Sequence, residues 1–68
     1  MEVDVAKLKR LREERVFSQR ELARLAGLTH QTVWRIENGF SEARPATIRK
    51  LAGVLEVEPK DLVKTEGR

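Results

Sequence analysis

The stretch QRELARLAGLTHQTVWRIEN, Gln19 to Asn38, decides how the rest of this chain is read. Leu22, Ala23 and Ala26 recur at helical intervals, so one face of a short helix is apolar, and the small Ala23 lets a second helix come close. Gly27 follows the last turn. A tight helix exit usually needs a left-handed residue there, and glycine adopts that conformation without steric cost. Leu28 is then placed to plug the corner.

Thr29 is positioned to cap the next helix by accepting a hydrogen bond from a free amide in its first turn. Thr29, Val33 and Ile36 share one face of that helix, predicted to point inside. At about 100° per residue the opposite face carries Gln31, Trp34, Arg35 and Asn38, with His30 and Thr32 on its flanks. These side chains are suited to bonding outward.

Gln19, Ala23, Gly27, Val33 and Ile36 together resemble the helix-turn-helix signature of the phage repressor and Cro family, the xenobiotic response element type of regulator. The resemblance covers Val5 to Leu62. It implies an all-α fold: a compact bundle of five short helices, a lambda-repressor-like DNA-binding domain. Residues 1–68 would then form a single helix-turn-helix domain, with a recognition helix at about residues 29–38 and a frayed tail at about 65–68.

The chain as a whole fits that reading. With 68 residues there is room for one small domain and a modest core. There is no cysteine, so no disulfide or thiolate metal site can hold the fold, and the chain reads as intracellular. Its first ten residues, MEVDVAKLKR, lack the apolar core of a signal peptide. No apolar run approaches the roughly 20 residues that cross a bilayer. A cytoplasmic protein is expected. The net charge of +3 is modest but unevenly placed: residues 7–24 carry seven basic and three acidic side chains, net +4, whereas residues 54–68 carry three basic and four acidic, net −1.

Outside the central stretch, Asp4 is a plausible first cap, and Val5, Leu8 and Leu11 give the first helix an apolar stripe ending near Glu14 or Arg15, with Lys7, Lys9 and Arg10 solvated. Val16 and Phe17 lie in the following link, where their side chains are expected to close the core. Ser18 with Glu21 three residues on makes a capping box at the start of the second helix. Asn38 and Gly39 end the recognition helix. Phe40 to Arg44 read as a loop with Phe40 as a core lid. Pro45 suits the first turn of a fourth helix, because its missing amide proton is not needed there. Ile48, Leu51, Ala52 and Leu55 supply that helix's buried stripe. Gly53 lies within it and marks a candidate close contact, while Glu56 stands where the family has its terminal glycine. Val57, Glu58 and Pro59 lead into a last short helix through Leu62 and Val63.

The family resemblance assigns roles to particular residues. It pairs Arg12 with Glu37 near the end of the recognition helix, a contact that fixes relative helix position more surely than it adds stability. It gives Gln19 and Asn38 phosphate contacts, with Gln19 also bracing a recognition-helix residue. Arg44 would reach a phosphate or a narrow minor groove. Lys9, Arg10 and Arg20 are further phosphate candidates, the scattered arginines being otherwise an ordinary solvated face. Arginine, asparagine and glutamine are shaped to pair with base edges in the major groove. Gln31 therefore suits an adenine, Arg35 a guanine, and Thr32 a thymine methyl, while His30 suits a phosphate or a base. Trp34 either packs on thymine methyls or sugars, or covers the loop containing Phe40.

One recognition helix spans few base pairs, so a homodimer reading two inverted half-sites about one helical turn apart is expected. Leu55, Val57 and Val63 are candidates for its contact surface. With only three aromatic residues there is no stacking platform for single strands, and double-stranded DNA is the better target. The economical reading is a small dimeric repressor. An antitoxin with a partner toxin, or a restriction-system controller, would use the same domain. A protein-interaction module anchored on Trp34 would use the same scaffold without DNA. One histidine and no cysteine, with no carboxylate pair facing a pocket, assemble no catalytic residue, metal centre or cofactor site, so no enzyme is expected.

Overall fold

Local sequence sets where each helix starts, and the computed structural model shows how, describing residues 2–40 and 42–64. Helix α1, Val5–Glu14, is capped by Asp4, whose carboxylate accepts a hydrogen bond from the Lys7 amide at 3.2 Å. Helix α2, Gln19–Ala26, opens on the capping box: Ser18 Oγ accepts from the Glu21 amide and Glu21 Oε1 accepts from the Ser18 amide, both at 3.0 Å. Helix α3, His30–Glu37, is capped by Thr29, and helix α4, Pro45–Leu55, has its proline in the first turn. The fifth helix of the sequence reading is a single 3-10 turn, Pro59–Leu62, where Asp61 Oδ2 accepts from the Glu58 amide at 3.1 Å and closes the segment. Among the described residues, four α-helices and this turn form the all-helical bundle.

The helix exits share one geometry. At each, the residue in the left-handed region donates its amide to the carbonyl three back, and the next residue donates five back. This is the Schellman pattern, which satisfies carbonyls the helix leaves unpaired. Gly27 and Gly39 take the left-handed position with φ of 72° and 75°, as the sequence predicts. At the ends of α1 and α4 the same position falls to Val16, φ 56°, and Glu56, φ 60°. Glu56 thus substitutes for the missing glycine without changing the exit.

The core comes from the apolar stripes. Leu8, Leu22, Ala23, Ala26, Val33, Ile36, Ile48, Leu51, Ala52, Leu55 and Leu62 are all buried. Helix α2 packs against α3 and α4, α1 against α3, and the 3-10 turn closes the bundle on α4 and α1. Phe17 and Leu28 pack half-buried against this core, matching their expected roles as link and corner plugs. Val3 was not foreseen as core, yet it is buried and bridges to Val63. The Asp4 amide donates to Leu62 O at 2.9 Å and the Lys64 amide to Glu2 O at 3.0 Å, which ties the two ends of the bundle together.

Several expectations need correcting. Val16 does not close the core. It is 85% exposed, because the left-handed turn aims it at solvent. Phe40 is not a lid, being 70% exposed, and the small Ala43 fills the space beneath the loop instead. Thr29 is exposed rather than inside, since its hydroxyl faces the helix start that it caps. A Cβ at Gly53 would meet nothing within 4 Å, so this glycine marks no close contact. Leu55 is fully buried and cannot belong to a contact surface, whereas Val57 and Val63 are half-buried. Lys7 is also half-buried, and its ammonium stands 3.9 Å from Asp61. The anticipated frayed tail, 65–68, lies outside the described residues.

Candidate nucleic-acid interface

The surface of interest is the outer face of α3, and buried polar contacts set its position. Glu37, in the last turn of α3, has a fully buried carboxylate. Arg12 on α1 reaches it with two nitrogens, Nε to Oε2 at 2.7 Å and Nη2 to Oε1 at 3.1 Å. Gln19 in the first turn of α2 donates from Nε2 to Oε1 at 2.9 Å. The third Arg12 nitrogen, Nη1, donates to Phe17 O at 2.8 Å. One carboxylate thus joins three helices, and Arg12 also holds the link between the first two. A carboxylate accepts only, so the geometry dictates that the glutamine amide nitrogen faces it. The expected arginine–glutamate pair and the bracing role of Gln19 are both present.

With its inner side held, α3 turns the rest of its residues outward. His30, Gln31, Trp34, Arg35 and Asn38 are exposed. Among the described residues, the side chains of His30, Gln31 and Arg35 make no hydrogen bond or ion pair. They are available to another molecule. Thr32 is half-buried and its hydroxyl lies 2.8 Å from Thr29 Oγ1, while the Thr29 oxygen accepts from the Thr32 amide at 3.1 Å.

Asn38 donates from Nδ2 to the Trp34 carbonyl at 2.8 Å, folding back on its own helix. Asn38 and Gln19 each spend one amide hydrogen inside the protein, and each retains a second. Arg20 is exposed on α2, as are Lys9 and Arg10 on α1. Arg44 is exposed at the start of α4 and lines a cleft with Leu28, Thr32, Ile36 and Thr47, which places it on the same side as the flank of α3. The Arg44 side chain makes no capping hydrogen bond at the start of α4.

Phe40, expected as a lid on the core, borders this face instead. It stacks on Trp34 with ring centroids 5.5 Å apart and planes 18° from parallel. The signal was present: Gly39 at the exit, an aromatic after it and another in the last turn are the positions that touch in a Schellman exit. Of the two alternatives for Trp34, packing against the loop through Phe40 is observed, while 43% of the residue stays exposed.

Among the described residues no group of three or more histidine, aspartate and glutamate side chains converges, and no helix is long and apolar enough to cross a membrane. Two helices joined by a glycine corner, the second fixed from behind and open in front, define the helix-turn-helix class. The chain belongs to the helix-turn-helix family HTH_3, whose profile matches residues 8–62; it is a family of DNA-binding transcriptional regulators.

Among known proteins, the chain is 39% identical over 61 residues to the uncharacterized HTH-type transcriptional regulator RghRB of Bacillus subtilis (strain 168). That match covers 88% of this chain and 44% of the relative, so the chain spans less than half the length of that protein. Its fold is similar to the restriction-modification controller protein C.AhdI from Aeromonas hydrophila, with a TM-score of 0.80 and 35% identity over 84% of this chain and 86% of that one. A hydroxyethylphosphonate dioxygenase also contains a similar unit, with a TM-score of 0.83 and 31% identity over all of this chain. The shared unit is 15% of that enzyme's chain and carries no implication for its reaction here.

Proposed function

We propose that this protein regulates transcription as a homodimer that reads double-stranded DNA, with α3 in the major groove of each of two inverted half-sites. The observation that carries this reading is the outer face of α3, where unengaged His30, Gln31 and Arg35 project from a helix whose opposite side is locked by Arg12 and Gln19. A rigid helix with free polar tips suits base reading, because each two-point contact discriminates only when its geometry is held.

Within that reading, Arg35 pairs with a guanine, Gln31 with an adenine, and the Thr32 methyl meets a thymine. His30 takes a base or phosphate at the entrance. The remaining amide hydrogens of Gln19 and Asn38, with Arg20 and Arg44, take phosphates and set register. Binding at these positions lowers transcription by occupying the promoter, which makes the protein a repressor.

The second copy docks on the groove lined by Pro45, Ile48, Arg49, Pro59, Lys60 and Val63, whose floor is apolar. Of the surface read in the sequence, Val63 lines this groove, and the exposed Pro45, Arg49, Pro59 and Lys60 form its rim. The test is selection from random duplexes about 30 base pairs long, room for two half-sites. An inverted repeat with half-sites about one turn apart supports the reading, and absence of any enriched sequence overturns it.

One specific likeness favours a narrower role. The match to the controller protein C.AhdI extends over most of both chains. A restriction-system controller is therefore the second reading, and it predicts that the selected operator lies upstream of restriction and modification genes. Operators next to a toxin gene would indicate the antitoxin role instead.

A further inference from the structure

The four Schellman exits of this fold provide their own comparison. In each, the residue after the left-handed position is carried back over the helix it leaves, and an apolar contact there usually shields both partners. Phe17 after α1, Leu28 after α2 and Val57 after α4 all pack half-buried against the core. Phe40 after α3 does not. Its amide donates to Arg35 O at 2.9 Å and that of Gly39 to Ile36 O at 3.1 Å, as the motif requires, yet Phe40 is 70% exposed and lies on Trp34, itself 43% exposed. The turn has built an aromatic pair on the outside of the molecule.

Two stacked rings held rigidly in water leave apolar surface unburied, and such surface gains free energy only when a partner covers it. The position of the pair selects the partner. Trp34 follows Gln31 by three residues and His30 by four, so the three share one helix face, and Arg35 is its neighbour. Whatever engages those polar tips also meets the indole. The cation Arg35, exposed beside Trp34, favours a polyanion. On base edges in the major groove, the apolar group on offer is the C5-methyl of thymine, and 5-methylcytosine carries the same group at the same place.

We propose that Trp34 and Phe40 together form a reader of 5-methylpyrimidines, with Phe40 fixing the indole so that its exposed part closes over the methyl group. The inference rests on α3 being the DNA-reading helix and adds a chemical preference to it. Phe40 is thereby a positioning residue, acting through the tryptophan.

The test uses the full chain and a duplex recovered by selection, in which each thymine of a half-site is replaced in turn by uracil, removing one methyl group and nothing else. At the position the indole covers, distinct from the thymine that Thr32 meets, the loss is expected to be about fourfold, the value for one buried methyl. At that position 5-methylcytosine should likewise bind about fourfold more tightly than cytosine, which shows that the methyl rather than the thymine is read. In Phe40→Ala and Trp34→Ala, both ratios should fall to near one, with unfolding curves confirming that these exposed substitutions leave the fold intact. Uracil binding as tightly as thymine at every position, or ratios unchanged in both variants, would overturn the inference and assign the pair to a protein partner. In that event sequence-preferring, salt-dependent binding by the unmodified chain would leave the DNA-reading assignment standing; its absence would overturn both.

Discussion

Arg12 grips Glu37 in a two-point fork, with the carboxylate fully buried and the guanidinium side chain 12% exposed. Such a pair gives up hydration on both sides, and the mutual attraction recovers it only when the remaining hydrogen-bonding capacity is met. Here Gln19 and Phe17 O complete it, and no buried side-chain nitrogen or oxygen among the described residues is left without a partner. The pair fixes how α3 is rolled about its axis relative to α1 and α2. That roll decides which residues face outward.

Removing one partner leaves the other charge stranded. Arg12→Ala is expected to destabilise the fold by about 3 to 5 kcal/mol, measured by urea unfolding. Replacing both together, Arg12→Met with Glu37→Leu, should be near neutral in stability. The double variant should nonetheless bind its operator less selectively than the native chain, because the roll of α3 is no longer specified by hydrogen bonds.

Val16 holds a left-handed conformation that a β-branched side chain rarely adopts, and it does so while exposed. Strain of this kind costs about 1 to 3 kcal/mol. Val16→Gly should therefore raise stability by about 1 kcal/mol, after allowing for the greater freedom glycine has in the unfolded chain. A lower melting temperature would mean that Val16 makes a compensating contact.

Gly53 makes the opposite case within a helix. A Cβ there meets nothing within 4 Å, and its φ is not in the left-handed range. Gly53→Ala is expected to stabilise α4 by about 1 kcal/mol, the propensity difference alone. The same change at Gly27 or Gly39 should destabilise by about 1 to 2 kcal/mol, since both sit at positive φ where open space gives no relief. Thermal unfolding of the three variants separates these cases.

Reading and positioning should divide between Arg35 and Arg44. Arg35→Ala is expected to weaken operator binding by about 1 to 3 kcal/mol and relax preference at one position per half-site. Arg44→Ala should weaken binding to all duplexes and reduce the salt slope by about one. Equal losses on operator and random DNA for Arg35→Ala would remove it from the readers.

The features legible in the sequence were those in which a local rule and the tertiary packing agree. Ser18 and Glu21 cap α2, Gly27 and Gly39 take left-handed exits, and the stripe Ile48, Leu51, Ala52 and Leu55 is buried. Periodicity also placed Gln31, Trp34 and Arg35 outside. What escaped was the content of the links, where hydrophobicity alone points inward and backbone geometry decides otherwise. Val16 is apolar, but the exit from α1 needs a left-handed residue at that position and turns it to solvent. Phe40 is apolar too, and the Gly39 turn lays it on Trp34 while Ala43 fills the interior. Val3 escaped because its burial depends on pairing with Val63, a contact between the two ends of the bundle that no local pattern encodes. The roles on DNA rest on residue chemistry and family likeness, with the structure contributing which tips are free.

The most direct measurement is the affinity of the chain for its selected duplex and for a scrambled duplex of the same composition, each titrated at two salt concentrations. Major-groove reading by α3 predicts a preference of about a thousandfold or more for the selected sequence. It also predicts that affinity for both duplexes falls steeply as salt rises, from the phosphate contacts they share. Equal affinity for the two duplexes, or binding indifferent to salt, would contradict the account.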